Sequence, residues 1–431
     1  MNAQVMPGYK LTEVGVIPED WEIVALGNMS EFITSGSRGW ARYYSGYGAL
    51  FVRSQNVRDG RLDLTDSQFV NPPPGSEGSR TRVKLRDLLI TITGNSVGNV
   101  ALVEQELGET YISQHVGLVR LREPLSGQYV CRFLSPGSLG NGQISGSQSG
   151  QSKPGLTLKN LHGFWIALPP LPEQRAIVAA LSDMDALIIG LDQLIAKKRD
   201  IKQAAMQQLL TGKQRLPGFT GEWEVKTLFE IAEGKKELFD DGDWIESEHI
   251  TNQGVRLIQT GNIGVGRFIE KDVRKYIYEK SFTSLRCKEL RCGDLLLCRL
   301  ADPAGRACVL PDIGEEKIVT SVDVTIFRAP TDTIDRVFLS NLFSTPEWFR
   351  AVSDRSGGTT HKRISRGALG RISIKIPAIQ EQAAIATILS DMDSELTALE
   401  TRRDKARQIK QGMMQELLTG RIRLPNSVSR G

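Results

Sequence analysis

Two stretches of this chain determine its architecture, and they read almost alike. Residues Glu173–Pro217 read EQRAIVAALSDMDALIIGLDQLIAKKRDIKQAAMQQLLTGKQRLP, and residues Glu381–Pro425 read EQAAIATILSDMDSELTALETRRDKARQIKQGMMQELLTGRIRLP. They align without a gap at an offset of 208 residues, the distance from Glu173 to Glu381, and about half of the aligned positions are identical. The chain therefore contains an internal repeat.

Each stretch predicts one long helix. Apolar side chains recur at alternating spacings of four and three residues, the pattern of a coiled-coil seam. Pro172 and Pro377 precede the helices, and Gly212 and Gly420 follow the last apolar pairs as C-terminal stops. A helix of roughly 38 residues is about 57 Å long. Four polar residues interrupt the seams, which suits a seam that is partly exposed or one that specifies a single pairing: Lys198, Lys202, Arg403 and Lys410.

Neither helix can bury its apolar stripe alone. Antiparallel pairing of the two helices within one chain is the economical solution, because the second copy already supplies the partner. The alternative is a coiled coil between two copies of the chain.

The segments between the helices are also repeated, although more faintly. Asp87-Leu88-Leu89-Ile90 matches Asp294-Leu295-Leu296-Leu297, and Leu118-Val119-Arg120 matches Ile326-Phe327-Arg328. The sequence thus predicts an α+β fold with two tandem globular domains, each a mixed sheet with helices. Two long helices separate the domains and form an intramolecular antiparallel coiled coil with approximate two-fold symmetry. The predicted boundaries are 1–168 and 215–376 for the two modules, and 169–214 and 377–431 for the helices.

Composition narrows the class of protein. A chain of 431 residues suits several compact units, and no apolar run in it is long enough to span a membrane. Residues 1–10 lack the charged and apolar regions that a signal peptide would show. We therefore expect a cytoplasmic protein without membrane contact. Residues 1–168 carry 15 basic and 14 acidic side chains, and residues 215–376 carry 25 and 24. Any contact with nucleic acid must come from patches that the fold arranges.

These repeated motifs resemble those of type I restriction-modification specificity subunits. The family's helix opening is present as LPPLPEQRAIVAALSDMD and, less closely, as IPAIQEQAAIATILSDMD, and the closing motif is present as QQLLTGKQRLPGF and QELLTGRIRLP. The module openings VIPEDW (Val16–Trp21) and FTGEW (Phe219–Trp223) also resemble the family. The likeness covers essentially the whole chain. Two departures are Gln380, where the first copy has Pro172, and Ala301 at the position of Gly94.

The resemblance implies a DNA-reading subunit. Each module would be a target-recognition domain that reads one half of a bipartite, asymmetric site in double-stranded DNA. The helices would set the spacing and dock two methyltransferase subunits, and motor-nuclease subunits would join the restricting complex. Cofactor chemistry would then lie elsewhere: we expect no cofactor in this chain and S-adenosylmethionine on the methyltransferase partner.

The residues themselves give little support for catalysis. Asn71-Pro72-Pro73-Pro74 resembles an adenine-methylation motif, but a proline replaces the aromatic residue that would stack on the flipped base. The glycine-rich segment Thr93–Gly98 lies between two strand-like runs, which predicts a hairpin turn rather than a phosphate loop. Asp240-Asp241-Gly242-Asp243 is interpreted as a solvated turn. Five cysteines, four of them clustered but without zinc-knuckle spacing, predict buried reduced thiols.

DNA recognition needs cations that hold phosphates and side chains that read base edges. We predict contacts from three kinds of loop. The first is a basic-aromatic loop at residues 38–44, and the second is the loop that follows a strand, at 53–58 in module one and 259–267 in module two. The third is a late loop near the end of each module, at 148–153 and 359–366. The asparagines are matched between modules, so they could instead hold a turn. The candidates in module one are Arg38, Arg42, Tyr43, Arg53, Gln55, Asn56, Gln148, Gln151 and Lys153. Those in module two are Gln259, Asn262, Arg267, Thr360, His361, Lys362 and Arg363.

Two other functions remain open from the sequence. A coiled-coil scaffold joining two protein-binding domains would have no salt-dependent affinity for duplex DNA. A self-sufficient methyltransferase would bind the methyl-donor cofactor without a partner.

Overall fold

A computed structural model of the chain describes residues 6–58, 60–73, 76–147, 155–358 and 362–424. The chain divides into two compact units, Met1–Asp192 with Thr401–Gly431, and Gln193–Glu400. Both divisions fall inside a long helix. Each unit therefore consists of one module and half of each helix, whereas the sequence predicted helical segments separate from the modules.

The first half of the chain contains fourteen strands and six helices in the described residues. The strands are β1 Tyr9–Thr12, β2 Gly15–Pro18, β3 Glu22–Ala25, β4 Ser30–Ser35, β5 Tyr44–Ser45, β6 Ala49–Val52, β7 Val57–Arg58, β8 Arg61–Leu62, β9 Gln68–Val70, β10 Leu88–Thr91, β11 Val100–Leu102, β12 Thr110–Ile112, β13 Val116–Leu121 and β14 Trp165–Leu168. The helices are α1 Leu26–Met29, α2 Ser76–Thr81, α3 Gly127–Leu134, α4 Asn141–Gly146, α5 Leu158–Gly163 and α6 Leu171–Leu209. Short 3-10 helices cover Trp40–Tyr43, Ser54–Asn56 and Pro124–Ser126.

The second half repeats this order with fewer strands. Its strands are β15 Glu224–Thr227, β16 Phe239–Asp241, β17 Ile250–Thr251, β18 Val255–Ile258, β19 Tyr276–Ile277, β20 Leu295–Cys298, β21 Ala307–Val309, β22 Ile318–Thr320, β23 Val324–Phe327 and β24 Ser373–Ile376. The helices are α7 Leu228–Ile231, α8 Glu279–Ser284, α9 Arg336–Leu342, α10 Pro346–Ser353, α11 Arg366–Gly370 and α12 Ile379–Leu417. Short 3-10 helices cover Lys236–Leu238, Ser247–His249 and Thr260–Asn262.

The two modules share one topology, which confirms the predicted α+β fold. In each, one four-stranded sheet is antiparallel, with the order β11-β10-β13-β4 in the first module and β21-β20-β23-β16 in the second. The other sheet is mixed, with the order β12-β6-β9-β5 or β22-β18-β19-β17, and its parallel pairs are β12 with β6 and β22 with β18. Central strands β10 and β20 are buried along their whole length, as their continuous apolar sequences require.

Each module's core includes the ends of both long helices. In the first unit, Ile177 and Leu181 of α6 and Leu417 of α12 pack into the same core cluster as Trp21. In the second unit, Leu209 of α6 and Ile385 and Leu389 of α12 pack into the core of the second module. Fully burying a leucine side chain contributes about 1.5–3 kcal/mol, so these contacts fix the helices on the modules.

The two long helices pair antiparallel inside each unit, as predicted. In the first unit, Asp185 Oδ1 lies 2.7 Å from Lys410 Nζ, and Asp192 Oδ2 lies 3.0 Å from Arg407 Nη2. In the second unit, the residues at the same repeat positions also pair: Lys202 with Asp393, and Arg199 with Glu400. Higher numbers along α6 thus meet lower numbers along α12.

The seam behaves as its apolar pattern indicates, because its apolar residues are all buried or half-buried. They are Ile177, Leu181, Met184, Ile188, Leu191 and Ile195 in α6, and Ile385, Leu389, Met392, Leu396, Leu399, Ala406, Met413 and Leu417 in α12. Lys202 and Lys410 interrupt the seam and ion-pair with the opposite helix, so these polar positions specify a pairing. Gly212 and Gly420 adopt left-handed φ angles of 69° and 68° just beyond the helix ends. Pro172 does not precede α6 as predicted but lies in its first turn, where its missing N–H costs nothing.

A buried carboxylate anchors each helix start to the end of the other helix. In the first unit, Glu173 accepts hydrogen bonds from Arg423 Nε at 2.6 Å and from Trp21 Nε1 at 3.2 Å. In the second, Glu381 accepts two bonds of 2.6 Å from Arg215. Hydrogen bonding to Glu173 and to Glu381 raises the guanidinium pKa of Arg423 and of Arg215 respectively. Among the described residues, no helix is both apolar and long enough to cross a membrane.

Candidate nucleic-acid interface

The turns that follow β6 (Arg53–Asn56) and β18 (Gln259–Asn262), here called the strand-exit turns, have the same structure. A buried asparagine holds each turn. In the first module, Asn56 Oδ1 accepts from the Arg53 backbone N–H at 2.9 Å, and Asn56 Nδ2 donates to the carbonyl oxygens of Asp63 and Asp66. The asparagine residue is only 2% exposed. All of these partners are backbone groups of the surrounding loop.

The second module repeats the arrangement. Asn262 is 4% exposed, its Oδ1 accepts from the Gln259 backbone N–H at 3.0 Å, and its Nδ2 donates to Ile269 O at 3.0 Å. The side-chain amides of Asn56 and Asn262 are thus both engaged within their own turns, and their contact with DNA stays a prediction. The turn-holding alternative accounts for their match between modules.

The candidate side chains near the two asparagines differ in whether a contact within the chain already engages them. Arg53 Nη2 lies 3.1 Å from Asp66 Oδ2, and the exposed Gln55 side chain donates to the same carboxylate. These two groups are therefore partnered in the structure. In the second module, Gln259 is half-buried and Arg267 is exposed. Of these four side chains, Arg267 is an exposed cation without an ion pair among the described residues, so it is available to an external anion.

The basic-aromatic loop is built on an aromatic core. Trp40 is 3% exposed and stacks on Phe51 of β6, with ring centroids 5.7 Å apart. Arg38 and Arg42 remain exposed, and the Arg42 guanidinium lies 4.9 Å from the centre of the Tyr43 ring. Since Phe51 lies two residues before Arg53, this loop and the strand-exit turn border the same mixed sheet.

The late loops are described only at their edges. Gln148, Gln151, Lys153, Thr360 and His361 lie outside the described residues, and their role stays a prediction. Lys362 Nζ donates to Ser353 Oγ at 3.0 Å, and Arg363 Nη2 lies 2.8 Å from Asp323 Oδ1. The two residues are exposed.

The late loops flank the ends of the antiparallel sheets. Arg363 forms a β-bridge with Leu300, two residues beyond β20, and Gly155 forms the equivalent bridge with Thr93 beyond β10. The candidates thus separate into a group beside the mixed sheet and a group beside the antiparallel sheet. We call the residues beside the antiparallel sheet the sheet end. They are Thr93, His115 and Gly155 in the first module, and Leu300, Asp323 and Arg363 in the second.

The sheet end carries different chemistry in the two modules. In the first, Thr93 Oγ1 hydrogen-bonds with Nδ1 of the exposed His115. In the second, the ion pair of Arg363 with Asp323 occupies this place. No role for His115 could be predicted from the sequence, because only the fold brings this residue beside Thr93 and the late loop.

The acidic segment of the second module is not the predicted solvated turn. Asp240 and Asp241 belong to strand β16, and their side chains are only 13% and 20% exposed. Asp240 pairs with Arg366, and Asp241 Oδ1 lies 3.0 Å from Arg299 Nε. Burial raises the pKa of the nearby Asp243 carboxyl above its ordinary value. Cations distant in sequence thus allow these acids to enter the sheet.

The candidate catalytic segments have the local structure of connections. Thr93–Gly98 joins antiparallel strands β10 and β11, which confirms the predicted turn. Asn71, Pro72 and Pro73 follow β9 in a loop, and Pro74 lies outside the described residues. Cys298 and Cys308 are buried as expected and Cys287 is half-buried, but Cys292 is exposed because it lies in the turn before β20. Within the described ranges, no three His, Cys, Asp or Glu side chains are grouped as metal ligands.

Comparisons with known proteins agree with this duplicated architecture. The family model for the type I restriction modification DNA specificity domain matches the chain twice, over residues 18–202 and 220–410. The MjaVIII type I restriction enzyme specificity subunit of Methanocaldococcus jannaschii is 25% identical over 425 residues, covering 95% of each chain. The EcoKI specificity subunit of Escherichia coli K12 is 21% identical, covering 86% of this chain and 82% of its own.

Solved structures share the fold. A chain from a study of complex assembly and conformational transition of the type I R-M system superposes with a TM-score of 0.60 and 20% identity, covering 94% of this chain and 99% of that chain. The S subunit of a type I restriction-modification system from M. genitalium gives a TM-score of 0.55 and 14% identity, covering 96% and 98%. Because the family model covers both halves, this chain belongs to the type I restriction-modification DNA specificity family.

Proposed function

We propose that this chain is the DNA specificity subunit of a type I restriction-modification complex, in which each module reads one half of a bipartite DNA site. The observation that carries this proposal is the family match in both halves of a chain whose two modules share one topology. A duplicated scaffold allows the two modules to approach DNA in equivalent ways. Two unlike sets of contact residues then allow the two half-sites to differ.

The differences between the modules support this division of labour. A threonine and a histidine lie at the first sheet end, and an arginine paired with an aspartate lies at the second. Arginine is suited to paired acceptors such as those of guanine, whereas hydroxyl and imidazole groups can donate or accept. Exposed Arg38, Arg42 and Arg267 would hold phosphates near the mixed sheets.

The chemistry would reside in partner subunits. We assign adenine methylation to two methyltransferase subunits that hold S-adenosylmethionine, and cleavage to motor-nuclease subunits. The long helices would set the distance between half-sites and help to carry the methyltransferases. The cytoplasmic location stays a prediction from the sequence.

Module exchange tests the proposal directly. The complex of this chain with its methyltransferase subunits should methylate one bipartite sequence, read by mapping methylated adenines in DNA. Replacing residues 1–168 by the corresponding module of another family member should change one half-site and leave the other unchanged. Methylation irrespective of sequence, or a change in both half-sites, would contradict the proposal.

Two controls address the alternative functions. A scaffold that joins proteins would show no salt-dependent affinity for duplex DNA in a titration with the complex. A self-sufficient methyltransferase would bind S-adenosylmethionine without partners, which calorimetry on the purified chain would detect.

A further inference from the structure

A basic pocket of about 380 Å³ lies at the start of β10 in the first module. It is formed by the residues that precede β10, by the end of β13 and by β4. The lining includes four cations and two acids: Lys84, Arg86, Arg120, Arg122, Glu31 and Asp87. Four cations against two carboxylates leave the lining with an excess of two positive charges.

One of the four cations is neutralised within the chain. The buried Asp87 carboxylate accepts from Arg120 Nε at 2.7 Å and from Arg120 Nη2 at 2.6 Å. By contrast, Lys84, Arg86 and Arg122 form no side-chain hydrogen bond or ion pair with the residues that the structure describes. Of the lining carboxylates, only the exposed Glu31 is left to balance these three charges.

Arg86 has an unfavourable backbone conformation. Its φ angle is 68°, in the left-handed region that glycine adopts more readily than any residue with a Cβ. The second module has Gly293 at the same repeat position, with a φ angle of 87°. The first module therefore keeps an arginine where the shared turn favours glycine, which points to a task for the guanidinium group.

The second module fills the same place from within. Gly293 stands at the position of Arg86, and Pro330 stands at the position of Arg122. Arg336 of α9 donates from Nη1 to the Gly293 carbonyl oxygen at 2.9 Å. The second module thus lacks two of the cations and seats a guanidinium group of its own there, so the site with three unpaired cations belongs to the first module.

The chemistry of the lining selects the class of ligand. Three cations around one pocket repel one another, and an anion that enters between them relieves this repulsion. Guanidinium groups present planar pairs of donors, which match the oxygen atoms of phosphate better than a spherical chloride ion. A phosphate group is therefore the ligand that fits the pocket.

We propose that this pocket binds one phosphate group per chain, held by Lys84, Arg86 and Arg122. The inference goes beyond the proposed function and does not depend on it. Two sources offer the same chemistry: a free phosphate or phosphate ester, and the phosphodiester backbone of DNA. Asp87 precedes β10 and Thr93 of the sheet end follows it, about 20 Å further along the strand direction. This position favours a free phosphate over the DNA that the sheet end would read.

Equilibrium dialysis of the full-length chain against radiolabelled inorganic phosphate, at constant ionic strength in chloride, tests the proposal. We expect one bound phosphate per chain. Arg86→Gly and Arg122→Gln should each lower the affinity about ten-fold, and the double variant should lower it further. Glycine adopts the left-handed conformation of residue 86 without strain, so Arg86→Gly should remain folded, which denaturant unfolding checks.

A matched control separates the pocket from general charge effects. Lys159→Gln removes an exposed cation of α5 in the same module that does not line the pocket, and it should bind phosphate as the natural chain does. The proposal is overturned if the natural chain binds no phosphate or binds it at two equal sites. It is also overturned if the double variant keeps the natural affinity, or if Lys159→Gln loses as much affinity as Arg86→Gly.

Addition of duplex DNA to the phosphate-loaded chain distinguishes the two sources. Release of the labelled phosphate, with a smaller salt dependence of duplex binding in the double variant, would support the site and identify the DNA backbone as its ligand. Retention of the phosphate, with unchanged duplex affinity in the double variant, would support the site and identify a free phosphate. Methylation irrespective of sequence would contradict the proposed function and leave the phosphate measurement as it stands.

Discussion

At the residue scale, the strand-exit turns show how a sequence match can have two causes. Asn56 and Asn262 occupy the same repeat position, which suits either a shared DNA contact or a shared structural task. The structure favours the structural task, since each amide is buried against backbone groups of its own loop. Sequence alone could not decide between them, because the deciding partners depend on how the following residues fold back.

A pair of alanine substitutions in the second module should separate the two roles. Asn262→Ala leaves the Gln259 N–H and Ile269 O without partners, so the free energy of unfolding should fall by about 1–3 kcal/mol. Arg267→Ala should leave stability within about 0.5 kcal/mol of the natural chain. It should instead weaken duplex binding and reduce the slope of log affinity against log salt by about 1.

Denaturant unfolding and salt titration of the full chain measure these two effects. The assignment of Asn262 would be wrong if its replacement altered the preferred half-site without lowering stability. Arg267 would lose its candidacy if the salt dependence stayed unchanged.

At the element scale, the long helices were the most predictable part of the molecule. Their apolar spacing and terminal glycines predicted elements that the structure places at Leu171–Leu209 and Ile379–Leu417. The segment Phe239–Asp241 was not predictable in the same way. Its aspartates resemble a turn, and the cations Arg299 and Arg366 that neutralise them are far away in sequence. Aspartate has a low propensity for strands, and these tertiary ion pairs outweigh it in β16.

The ion pair between Lys202 and Asp393 should contribute to helix register. Lys202→Asp places a carboxylate opposite that of Asp393 and should lower the free energy of unfolding by roughly 0.5–1 kcal/mol. Adding Asp393→Lys restores opposite charges and should recover most of this loss. Lys197→Asp, on an exposed position of the same helix, is the matched control and should change stability less. Equal effects in the three variants, measured by denaturant unfolding, would exclude a specific pairing role.

At the scale of the whole molecule, the repeat predicted the two modules, their shared fold class and the intramolecular helix pairing. The late loops are the exception, and Gln148, Gln151, Lys153, Thr360 and His361 lie outside the described residues. The predicted contacts of these loops with DNA depend on side chains that differ between the modules, where the repeat gives no guide.

If the helices set the distance between half-sites, shortening both should change the spacer that the complex accepts. Deleting one heptad around Asp192 and the equivalent heptad around Glu400 removes about 10.5 Å of helix, or about three base pairs. We expect methylation of sites with a correspondingly shorter spacer and unchanged half-sites. Methylation mapping on a library of spacer lengths provides the measurement, and an unaltered spacer would refute this role of the helices.

The duplicated ion pairs have a consequence for the origin of the chain. Each pair takes its acid from one long helix and its base from the other, yet α6 alone contains both kinds of residue. Asp185 and Lys202 lie on it, and Glu173 and Arg215 lie at or just beyond its ends. A half-length polypeptide ending near residue 217 would therefore be self-complementary, and two such polypeptides would pair through antiparallel helices as a two-fold dimer. Gene duplication and fusion of this ancestor would join the two halves covalently and free each to acquire its own specificity.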